Sequence, residues 1–70
     1  MKYKIVIEKA AGNYAAYVPD LPGCVATGAT RKETIQEIET AIVLHIESFR
    51  DHGEPVPAPQ CSVTEVEVAA

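Results

Sequence analysis

Tryptophan is absent, phenylalanine occurs once and cysteine only twice in these 70 residues. With so few large rings, a core has to come from Ile, Val, Leu, Ala and the bodies of three tyrosines. A chain this short buries only about 60–65% of the surface its unfolded form exposes, so a homo-oligomeric interface would supplement a marginal core. Cys24 and Cys61, in a chain without a signal-like leader, do not make a disulfide framework, and both are read as reduced. No apolar run approaches the ~20 residues needed to span a bilayer, and the first eight residues alternate instead of forming an apolar leader. A cytoplasmic protein without membrane contact is expected. Basic charge is also scarce, with 6 Lys and Arg against 10 Asp and Glu and a net charge of −4. Such a chain repels a phosphate backbone, which argues against direct nucleic-acid binding. It suits a basic protein partner, whose approach it would steer.

What is present organises into one domain over residues 1–70. Residues 2–8 alternate, with Tyr3, Ile5 and Ile7 on one face and Lys2, Lys4, Val6 and Glu8 on the other, the period of a half-buried strand. Residues 9–13 supply turn chemistry, residues 14–18 a second strand, and residues 25–29 a third. Thr30, with Glu33 three residues on, forms a capping box that opens a helix. Ile35, Ile38, Ile42, His45, Ile46 and Phe49 then recur at steps of three and four, and Gly53 with Pro55 ends the run. Pro55, Pro57 and Pro59 make an extended, semi-rigid connector. Residues 61–68 alternate again, with Thr64, Val66 and Val68 on one face, and read as a fourth strand. A right-handed return after the helix places that strand beside the first. The expected fold is α+β, β-β-β-α-β, a four-stranded mixed sheet of order 4-1-2-3 with one helix packed on one face.

The most informative stretch is Tyr17-Val18-Pro19-Asp20-Leu21-Pro22-Gly23-Cys24. Its two prolines fix φ and remove two donors, and Gly23 tolerates positive φ, so the run must end a strand and turn. Leu21 between the prolines needs an apolar seat, so the corner is expected to pack onto the domain, with Asp20 as its one chemically able acceptor. An ordinary structural turn has the same composition. The stretch also resembles the signature of the HicB family, the antitoxin halves of bacterial and archaeal toxin–antitoxin pairs. The Thr30-x-x-Glu33 helix start, the Glu39-Thr40-Ala41-Ile42 midsection and the Gly53-Glu54-Pro55-Val56-Pro57 exit are similar to that family too, so nearly the whole chain is covered. The resemblance implies a partial ribonuclease H-like fold and a partner, a small HicA-like toxin that cleaves mRNA. Many HicB proteins also carry a C-terminal helix-turn-helix or ribbon-helix-helix segment that binds the operon's own promoter, and none is expected within these residues.

Catalytic chemistry finds little support in the residues. A two-metal nuclease needs several carboxylates converging on ions roughly 3.5–4 Å apart, whereas the inward positions of the first strand are Tyr3, Ile5 and Ile7. His45 and His52 lie about 10.5 Å apart along a helix, too far to share one tetrahedral ion. A Cys24–His45 nucleophile pair lacks a third orienting residue. No enzyme activity, cofactor or metal is expected. Partner binding has two candidate surfaces. The outer helix face collects Glu33, Glu37, Thr40, Leu44, Glu47 and Asp51, a leucine rimmed by acids; the default for such a face is plain solvation. The back of the sheet must expose Val6 and at least one of Tyr14 and Tyr17, which have opposite parity. The partner-binding candidates are Tyr17, Asp20, Leu21, Glu33, Glu37, Leu44 and Glu47. The expected function is a non-enzymatic antitoxin that binds and neutralises a small ribonuclease; the alternative is a stand-alone oligomeric interaction module without a toxin.

Overall fold

A computed structural model describes residues 1–69. Three strands, β1 (Val6–Ala10), β2 (Asn13–Tyr17) and β3 (Val25–Gly28), precede one long helix, α1 (Arg31–Asp51). The strands form an antiparallel sheet in the order β1-β2-β3. β1 lies later in the sequence than its alternation suggests. The two-residue loop Ala11-Gly12 lets the ladder run on to Lys9↔Tyr14 and Ala10↔Asn13. At the other end Val6 pairs with Tyr17, the last residue of β2. Beyond it the N–H of Val18 is committed to the Cys24 carbonyl at 3.1 Å and Pro19 has none, so residues 2–5 find no ladder partner.

The corner between β2 and β3 is built from its own backbone. The N–H of Leu21 donates to the Val18 carbonyl at 3.1 Å, and the N–H of Cys24 to the Leu21 carbonyl at 3.0 Å. Gly23 sits at φ 82°, the left-handed region that glycine enters without steric cost. These turns drive Leu21 inward to 0% exposure. It joins Ala16, Val18, Cys24 and Ile38 in the buried core, with Tyr3, Ile5, Ile7, Ala26, Ala41, Ile42 and Phe49 packed around them. Burying side chains such as Leu21 and Ile38 stabilises by about 1.5–3 kcal/mol each.

Thr30 caps α1 in extended backbone, its Oγ1 accepting the Glu33 N–H at 3.1 Å. The reciprocal arm is displaced by one residue: Glu33 Oε2 accepts from the N–H of Ala29, also at 3.1 Å. At the far end, the N–H groups of Gly53 and Glu54 return to the carbonyls of Arg50 and Phe49 at 3.1 and 2.9 Å, a Schellman closure that satisfies two end carbonyls. α1 lies across β3 and β2 and reaches β1 least. Its first turn sits hard against β3. Thr34 is buried there, and its hydroxyl donates to the Thr30 carbonyl at 2.8 Å.

The four-stranded mixed sheet of order 4-1-2-3 does not form: the described residues hold three antiparallel strands and one helix, β-β-β-α, still within the α+β class. Residues 61–69 make no sheet pairing, and Val63, Val66 and Val68 are 68, 79 and 75% exposed. The physical reason lies in the connector: Pro55, Pro57 and Pro59 stiffen it, and the Cys61 N–H is tied to Asp20 in the corner, so residues 62–69 leave from that point without turning back onto β1 of their own chain. The connector is held at two points, by the Tyr3 hydroxyl donating to the Pro57 carbonyl and by Asp20 Oδ2 accepting the Cys61 N–H at 3.1 Å. Alternation alone does not supply a buried face.

Candidate partner-binding surface

The register of the sheet decides which side chains face outward. Ile7, Ala16 and Ala26 are opposite one another across the three strands and turn toward α1. The adjacent row, Val6, Tyr17 and Val25, therefore faces the uncovered side. Tyr17 is 42% exposed there and Tyr14 is half-buried, which settles the parity question in favour of Tyr17. Around that row the same face carries Glu8, Ala15 and Thr27, so Glu8 is the one charged group that the paired residues place on it.

The outer face of α1 has the opposite character. Glu33, Glu37, Thr40, Leu44, Glu47 and Asp51 are all exposed, and Leu44 is 60% exposed among the acids. Two of these groups are already engaged locally. Glu33 holds the Ala29 N–H, and the Thr40 hydroxyl donates to the Gln36 carbonyl at 3.2 Å. Glu37, Leu44, Glu47 and Asp51 are the members free to meet a partner.

The seven sequence-derived candidates thus fall in three places. Glu33, Glu37, Leu44 and Glu47 share the helix face, and Tyr17 lies on the opposite side of the sheet. Asp20 is half-buried and spends one carboxylate oxygen on the Cys61 N–H. Leu21 is wholly buried and is removed from any contact surface, because the corner that makes it conspicuous also turns it into the core. Two exposed apolar residues join the surfaces without having stood out in the sequence. Val43 stands next to Leu44, and Val25 extends the Tyr17 row. Val43 is legible as an apolar residue outside the isoleucine stripe, whereas Val25 depends on a register that only the corner geometry fixes.

The titratable groups near the corner are arranged for structure. Burial pushes the Cys24 thiol up from its ordinary range, which suppresses the thiolate a nucleophile would need. His45 points elsewhere: its Nε2 donates to the Pro22 carbonyl at 3.1 Å, and its ring meets Phe49 edge-on with centroids 5.7 Å apart. His52 Nδ1 lies 2.7 Å from the Ser48 carbonyl. A shallow pocket of about 200 Å³ between these rings is lined by His45, Ser48, Phe49, His52 and Glu54. Among the described residues, no group of three His, Cys, Asp or Glu side chains is placed to hold a metal ion, and no helix is long and apolar enough to cross a membrane.

Comparison with known proteins gives these surfaces a context. Residues 3–69 match the family described as HicB_like antitoxin of bacterial toxin-antitoxin system. A UPF0150 protein of Thermoplasma acidophilum is 45% identical over 58 residues, covering 81% of this chain and 84% of that protein. A UPF0150 protein of Synechocystis is 45% identical over 56 residues, covering 79% and 71%. Among solved structures, a chain of a HicA3 and HicB3 toxin-antitoxin complex superposes with a TM-score of 0.72 at 33% identity, over 86% of this chain and 70% of that one.

Proposed function

The chain belongs to the HicB-like antitoxin family, and from that premise we propose that it is a non-enzymatic antitoxin which binds and neutralises a small HicA-like ribonuclease toxin that cleaves mRNA. The observation that carries this reading is the likeness to a chain of a toxin-antitoxin complex, at 33% identity and a TM-score of 0.72. The acidic helix face supplies a physical route. A ribonuclease that grips RNA presents basic groups, and Glu37 and Glu47 attract such a surface while Leu44 offers an apolar anchor at its centre. Occupying the RNA-binding groove blocks the toxin by sterics and charge, without chemistry on either partner. The site of action is the cytoplasm, where mRNA is found. The open Val6, Tyr17 and Val25 row supports self-association on the other side of the molecule, where two chains of net charge −4 meet with little repulsion.

Co-expression with a small, basic HicA-like ribonuclease tests the reading. The two chains should co-purify, and the antitoxin should restore growth when the toxin is induced. Leu44→Asp should raise the dissociation rate, whereas Glu37→Lys with Glu47→Lys should slow association and flatten its salt dependence. Full protection and parental kinetics from both folded variants would move toxin binding off the helix face.

A further inference from the structure

Residues 62–69 form an exposed arm with strand-like alternation and no sheet pairing among the described residues. The arm changes the shape of the molecule. The Cα radius of gyration is 13.9 Å, against about 11 Å for a compact domain of this length. The longest dimension is 48 Å, well beyond the ~31 Å of a 21-residue helix. Meanwhile the outer edge of β1 is unpaired among the described residues, leaving a row of backbone donors and acceptors open.

We propose that the arm of one copy adds as a strand to the free β1 edge of a second copy, and that the exchange is mutual. Three features select this occupant. Charge is complementary: residues 2–9 carry Lys2, Lys4 and Lys9 against Glu8 alone, while the arm carries Glu65 and Glu67 and no base. The binary patterns also agree. Along the segment entering β1, Ile5 and Ile7 share one face and Lys2 and Lys4 the other. Along the arm, Val66 and Val68 share one face and Glu65 and Glu67 the other. A parallel register sets Val66 and Val68 beside Ile5 and Ile7, which α1 leaves half-buried, and Glu65 beside Lys4, with Glu67 next to Val6. The connector then favours exchange over folding back. Pro55, Pro57 and Pro59 stiffen it, and the bond from the Cys61 N–H to Asp20 fixes the point from which the arm departs. Exchange of an identical element is a low-cost route to a dimer.

Sedimentation equilibrium of the full chain tests this. The parent should be a dimer at micromolar concentration. Val66→Pro removes a ladder donor from a residue that is exposed and unpaired in its own chain, and should raise the dimer dissociation constant by about tenfold or more while circular dichroism is unchanged. Lys4→Glu should also weaken the dimer, and combining it with Glu65→Lys should restore it. A monomeric parent overturns both the exchange and the self-association reading. A dimer that resists Val66→Pro but dissociates on Tyr17→Glu overturns the exchange alone, and a failed Lys4/Glu65 rescue refutes the pairing of these two edges.

Discussion

At the scale of single residues, two glycines illustrate different reasons for the same side chain. Gly23 lies at φ 82° with open space around it, since a Cβ added there would have His45 Cε1 as its nearest neighbour at 4.0 Å. Its constraint is backbone conformation. Gly28 is the reverse: an added Cβ would come within 2.7 Å of Thr34 Oγ1 and 2.8 Å of the Thr34 backbone nitrogen. Gly23→Val should therefore destabilise by roughly 1–3 kcal/mol, and Gly23→Asn by less, because asparagine tolerates the left-handed region. Gly28→Ala should cost about 1–3 kcal/mol by forcing α1 off β3. Urea midpoints check the set, and equal losses for Val and Asn at position 23 would refute the conformational account. Cys24 gives a pH signature. Burial raises its folded thiol above the ordinary value of 9.0, so the folded chain keeps a proton that the unfolded chain releases. Its contribution is whole below pH 9.0 and is lost as pH climbs through the raised value. Stability should fall between neutral pH and roughly pH 10 more steeply in the parent than in Cys24→Ala; parallel slopes would exclude the thiol as the cause.

At the scale of elements, legibility follows how local the determining interactions are. The helix is readable to within a residue or so, because Thr30, Glu33, Gly53 and the isoleucine spacing act inside the element itself. The corner is readable for the same reason: its prolines and Gly23 determine a turn wherever it is placed. Even there the partition is incomplete, since the sequence casts Leu21 both as an apolar group needing a seat and as a contact residue, and burial leaves only the first role. Strand bounds are less legible. β1 begins at Val6 because its partner runs out at Tyr17, which no property of residues 2–5 reveals. The fourth strand is the limiting case. Residues 61–68 have the alternation of a strand, but pairing also requires a neighbour within reach, and the proline connector tied to Asp20 keeps them from turning back onto β1 of their own chain. Of the candidate site, the acidic helix face can be laid out by counting at about 100° per residue. The Val6, Tyr17 and Val25 row needs the register of two hairpins.

At the scale of the whole molecule, the outer face of α1 and the open face of the sheet are separated by the core, and they differ in kind. One is acidic around an exposed leucine, and the other is apolar with Glu8 as the charge within its paired rows. A basic partner is drawn to the first from a distance, whereas two copies of net charge −4 come together with least repulsion at the second. If toxin binding uses the helix and self-association uses the sheet, the two should be separable by mutation. Tyr17→Glu should shift the chain toward monomer in sedimentation while leaving the association rate and salt dependence of toxin binding as in the parent. Leu44→Asp should do the opposite, weakening the toxin complex without changing the self-association constant. Because the sites share no side chain, the double variant should show the sum of the two losses in free energy, within the ~0.5 kcal/mol expected of independent positions. A large departure from additivity would mean that the toxin touches both copies of a dimer, or both faces of one chain, and would tie toxin neutralisation to the assembly itself.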